Sequence, residues 1–87
     1  MFDIKIHLNG NLGMFFVVKF KHEYVKDFNK TTEDIVKMIN EFELDEIKVL
    51  KDTDDTTITA KADEYIAIGE LGILMIDVES LIKKERR

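Results

Sequence analysis

Tyr65-Ile66-Ala67-Ile68-Gly69-Glu70-Leu71-Gly72-Ile73-Leu74-Met75-Ile76-Asp77-Val78 is the stretch on which the fold turns. It is the most apolar run of the chain, broken only by Glu70, Asp77 and two glycines. At fourteen residues it is short of the about 20 that a membrane helix needs. Two readings remain, a hairpin and one long apolar helix. A helix would hold Gly69 and Gly72 in its interior, each costing about 1 kcal/mol relative to alanine. The β-branched content favours strands. The expectation is a hairpin with arms at Tyr65–Ile68 and Ile73–Val78, turning at Glu70-Leu71-Gly72. A short echo points the same way: Gly10-Asn11-Leu12-Gly13 and Gly69-Glu70-Leu71-Gly72 each feed an apolar run.

Upstream, Phe2, Ile4, Ile6 and Leu8 alternate with Asp3, Lys5, His7 and Asn9, the period of a half-buried strand. Asn9-Gly10 between apolar runs signals a hairpin, with Met14–Lys21 as the return strand. Thr31-Thr32-Glu33-Asp34 resembles a capping box, and Ile35, Met38, Ile39 and Phe42 recur at i, i+3, i+4, i+7. One amphipathic helix is therefore expected at about 31–43, packed on the face of Phe2, Ile4, Ile6, Phe16, Val18 and Phe20. Ile47–Lys51 and Thr56–Ala62 read as strands around an Asp52–Asp55 turn. The expected fold is α+β: one domain with an antiparallel sheet of five to six strands, ordered β-β-α-β-β-β-β. One helix covers one face, and Ser80–Arg87 forms a short basic helix or tail.

Composition excludes several function classes. The chain has 87 residues and no cysteine, so disulfide frameworks, thiolate catalysis and cysteine-based zinc sites are out. The N-terminus lacks the basic-then-apolar order of a signal peptide, and a cytoplasmic location is expected. Ser80 is the sole serine and His7 and His22 the sole histidines, without metal spacing or orienting partners. Both histidines are expected on the solvated surface. Asp52-x-Asp54-x-Thr56 matches the phosphatase signature of haloacid dehalogenase-like enzymes over five residues, but that family needs a far larger domain. As an EF-hand loop the same segment puts Thr57 where glycine is required. A charged turn is the expectation, with no enzyme activity, cofactor or metal.

Charge is the feature that points at a partner. Between Glu33 and Glu70 stand twelve acidic residues against four lysines, in a chain of net charge −5. The expected function is a small acidic module, an inhibitor or regulator. It docks Glu41, Glu43, Asp45, Glu46, Asp52, Asp54 and Asp55 on a basic surface of another protein. One version is nucleic-acid mimicry, since the chain is similar to DNA-mimic inhibitors in size and acidic balance. The alternatives are an assembly subunit that pairs through an apolar face and a direct nucleic-acid binder. The first would be a homodimer through Phe15, Val17, Ile73 and Met75, with Leu50 beside them. The second would use Lys19, Lys21 and the basic tail, with Phe15, Phe20 and Tyr24 among the lysines. The acidic balance disfavours the second.

Overall fold

Alternation along the first twenty residues builds an antiparallel hairpin. Strand β1 (Phe2–Asn9) pairs with β2 (Gly13–Lys21), so that Ile4 faces Val18 and Ile6 faces Phe16. The computed structural model describes residues 1–10, 13–63, 66 and 68–87. After β2 a single 3-10 turn, His22–Tyr24, leads to helix α1 (Phe28–Glu41). Strand β3 (Asp45–Lys51) and strand β4 (Asp55–Ala62) follow, and helix α2 (Ile68–Lys84) ends the chain. The sheet order is β1-β2-β4-β3, antiparallel throughout, with β1 and β3 at the edges.

One face of that sheet carries the core. Phe16, Val18, Phe20, Ile58 and Ala60 are fully buried against Ile35 and Ile39 of α1 and Leu71, Leu74, Val78 and Ile82 of α2. Strict alternation along β4 shows why: Thr56, Ile58, Ala60 and Ala62 are buried, while Asp55, Thr57, Thr59 and Lys61 are half-buried on the other face.

Helix α1 begins earlier than the 31–43 expected. Asp27 caps it, its Oδ1 accepting from the Lys30 N–H at 3.1 Å, a stronger stop than the threonine pair because its carboxylate also suits the positive helix end. Thr31 and Thr32 lie inside the first turns, buried, donating their hydroxyls to Asp27 O at 2.9 Å and Phe28 O at 2.7 Å.

The expected last hairpin is absent. Residues 68–84 are helical, so the sheet has four strands rather than five or six. The arm expected at Tyr65–Ile68 falls partly outside the described residues. Leu71, Leu74, Val78 and Ile82 recur at i, i+3, i+7, i+11, and all four are sealed from solvent. Each such burial is worth about 1.5–3 kcal/mol, which outweighs about 1 kcal/mol for each of the two glycines. The Gly69-Glu70-Leu71-Gly72 echo of the first turn is thus four residues of a helix. Nor is Ser80–Arg87 a separate tail: α2 runs through Lys84, and the chain end is tied down. Lys26 N–H donates to Glu85 O and Arg87 N–H to Tyr24 O, each at 2.9 Å.

Candidate functional site: an acidic edge strand

Edge strand β3 positions the acids. The end of α1 is a Schellman motif, in which Glu43 N–H donates to Asn40 O at 2.9 Å and Leu44 N–H to Ile39 O at 3.4 Å. Its left-handed position, usually glycine, is held by Glu43 at φ 59°. Leu44 then drops into the core, and the chain enters β3. Pairing with β4 skips a residue between Asp45 and Lys48, and Glu46 in that bulge also has a left-handed backbone, φ 50°. Two glutamates held in left-handed backbone within four positions are unusual, and such outliers concentrate at functional sites.

The acids fall into two groups. Glu41, Glu43, Asp45 and Glu46 surround the start of β3, and Asp52 and Asp54 its end, all exposed. A seven-residue strand separates the groups by roughly 20 Å. Among the described residues none of these six carboxylates makes an ion pair. Asp55 differs: it is half-buried on β4 and lies 3.7 Å from Lys19 Nζ. Asp34 is also partnered, by Lys30 at 3.1 Å, and that hydrogen bond holds the Lys30 ammonium above lysine's ordinary range.

Between the two groups Val49 and Leu50 are exposed, on opposite faces. Val49 floors a shallow groove of about 550 Å³ with Thr32, Glu33, Val36 and Lys51, between α1 and β3. Lys51 is tied across this groove, donating to Asn29 Oδ1 at 2.7 Å with its ammonium 6.0 Å from the Phe28 ring centroid.

The acidic turn is fixed from below. Asp52 N–H donates to Asp55 O and His22 N–H to Asp54 O, each at 2.8 Å. His22 is not on the solvated surface: it is half-buried, stacked on Phe28 and hydrogen-bonded through Nε2 to Thr56 Oγ1 at 2.7 Å. His7 is exposed on β1, opposite Phe15, on the face away from His22's partners. Among the described residues no group of three or more His, Cys, Asp or Glu side chains is arranged to hold a metal ion. No helix there is long and apolar enough to cross a membrane.

The surface expected for self-association divides. Phe15 and Val17 are half-buried on the sheet face opposite the helices, a face that Leu50 shares from two strands away, whereas Ile73 and Met75 belong to α2 on the helix side. They form no single surface, because the segment 68–78 is a helix and not part of the sheet. The basic-aromatic cluster divides likewise, since Phe20 is in the core and Tyr24 packs on Phe2.

The open sheet face carries a feature the linear charge count hides. Cross-strand register sets Lys5–Val17–Thr59–Lys48 in one row, Asp3–Lys19–Thr57–Leu50 in the next and His7–Phe15–Lys61–Asp45 in a third. Strand parity, applied to the lysines as well as to the apolar residues, would have found it. No protein-family model, curated protein or solved structure matches the chain.

Proposed function

We propose that the protein is a non-catalytic binding module, working in the cytoplasm, that docks the β3 edge on a basic surface of a partner protein and so inhibits or regulates it. One observation carries this reading: six exposed, unpaired carboxylates bracket a single edge strand, and two of them stand on left-handed backbone. The bulge at Glu46 and the lysines at 48 and 51 are the devices by which sheet edges resist strand addition. The dock therefore works through side chains, with basic groups of the partner at two points roughly 20 Å apart and an apolar residue in the Val49 groove between them. Two separated groups fit a two-point contact better than a continuous phosphate-like row, so nucleic-acid mimicry is the less favoured version.

The test is capture of the partner from native lysate at low and high salt. The wild-type protein is compared with a variant carrying Glu43, Asp45, Glu46, Asp52 and Asp54 reversed to lysine. Capture is expected at low salt and lost both at high salt and on reversal, because exposed charges act over a Debye length of about 10 Å at 0.1 M but about 3 Å at 1 M. A partner that stays bound to the reversed variant overturns the reading.

A second reading has its own observation, the lysine rows of the open face with Phe15 and Val17 among them. There the ligand would be single-stranded nucleic acid, its phosphates on Lys5, Lys19, Lys48 and Lys61. Retention of an oligothymidine by the wild-type protein, lost on Lys5→Glu with Lys48→Glu but kept on acidic-edge reversal, would favour it.

A further inference from the structure

Helix α2 is apolar on two sides. Its core side is Leu71, Leu74, Val78 and Ile82; directly opposite lies a second stripe, Gly69, Gly72, Ile73, Ile76 and Ser80, at i, i+3, i+4, i+7, i+11. Ile73 is 54% exposed and Ile76 66%. An apolar stripe on a helix ordinarily faces a packing partner. Beside the stripe a groove of about 370 Å³ between α2 and edge strand β1 is lined by Phe2, Ile4, Gly72, Met75 and Ile76, with Asp3 and Glu79 at its polar side.

Among the described residues nothing requires glycine at 69 or 72. A Cβ added at Gly69 or Gly72 would meet nothing within 4 Å, and neither residue has a positive φ. Glycine is the poorest helix former after proline, so their place on the outward stripe, where a second helix could approach closely, is informative alongside the bare isoleucines.

Charge decides what covers the stripe. Glu70, Asp77 and Lys84, spaced by seven, form one flank; Glu79 and Lys83, joined at 3.2 Å, form the other. Two copies packed antiparallel about a two-fold axis bring each flank against itself in reverse, so Glu70 of one copy approaches Lys84 of the other. The register that levels Glu70 with Lys84 also levels Asp77 with its own copy, so the pairing slips by two residues, about 3 Å, which levels Gly72 with Ser80 and keeps Lys84 within side-chain reach of Glu70. Packed parallel, the flanks set Asp77 against Glu79 and Lys84 against Lys83, like charges in both cases. We infer that the α2 stripe binds the α2 stripe of a second copy, antiparallel, as a symmetric homodimer whose acidic edges remain free. This does not rest on the docking role of β3.

The absence of cysteine gives a clean test. Sedimentation of the full chain from low to high micromolar concentration is expected to reach twice 10.2 kDa. The variant Ile73→Lys with Ile76→Lys is expected to stay at 10.2 kDa with an unchanged far-ultraviolet circular dichroism spectrum. Under mild oxidation Gly72→Cys is expected to cross-link to Ser80→Cys in a mixture, and poorly to itself. Should the double lysine variant lose its fold, the cross-linking ratio decides alone. A particle of 10.2 kDa at the highest concentration, a dimer indifferent to Ile73→Lys with Ile76→Lys in a folded protein, or efficient Gly72→Cys self-linking would each overturn the inference.

Discussion

The imidazole of His22 lies flat on the ring of Phe28, with centroids 3.8 Å apart and planes within 9°. This stack joins the turn after β2 to the first residue of α1. On its other side His22 holds Thr56 through Nε2 and the acidic turn through its backbone N–H. One residue thus ties the helix start to the far end of the edge strand. His22→Ala is expected to lower stability by about 1–2 kcal/mol through lost stacking and a lost hydrogen bond to the buried Thr56, measured by urea unfolding. His22→Phe should recover the stacking part only.

Glu43 stands where a Schellman motif normally has glycine. Glu43→Gly is expected to stabilise the fold by about 1 kcal/mol, since a left-handed side-chain-bearing residue costs roughly that much. For a domain of this size that raises Tm by about 4–8 °C. The same change removes a carboxylate from the dock and should weaken partner capture, so stability and binding move in opposite directions.

The two sides of α2 should respond differently to truncation. Leu74→Ala opens a cavity in the core and is expected to cost about 2–5 kcal/mol. At a protein concentration low enough to keep the chain monomeric, Ile73→Ala is expected to fall within about 0.5 kcal/mol of wild type. Chemical unfolding of both variants checks this.

Asp27 rather than the threonine pair starts α1. Asp27→Ala is expected to cost about 1 kcal/mol, with the loss reproduced in thermal unfolding.

Much of the fold was legible where one periodicity ruled. Phe2, Ile4 and Ile6 alternate cleanly and gave β1; Ile35, Met38, Ile39 and Phe42 mark a single stripe and gave α1. Residues 68–78 defeated the same reasoning because two apolar stripes interleave there, one for the core and one facing outward, leaving only Glu70 and Asp77 to mark the helical period. The cap at Asp27 was hidden by a better-known pattern four residues later. The acids of the candidate site were visible as a run, and their division into two groups followed only from the length and edge position of β3. His22 was missed because its partners, Phe28 and Thr56, meet it through the fold and not through spacing.

The docking role of β3 is tested most directly by amide hydrogen exchange on the protein alone and bound to the captured partner. Slowed exchange is predicted at residues 41–46 and 49–54, flanking and including the Val49 groove, with the β1–β2 hairpin unchanged. Protection confined to β1 and β2, with residues 41–54 exchanging as they do in the free protein, would contradict it.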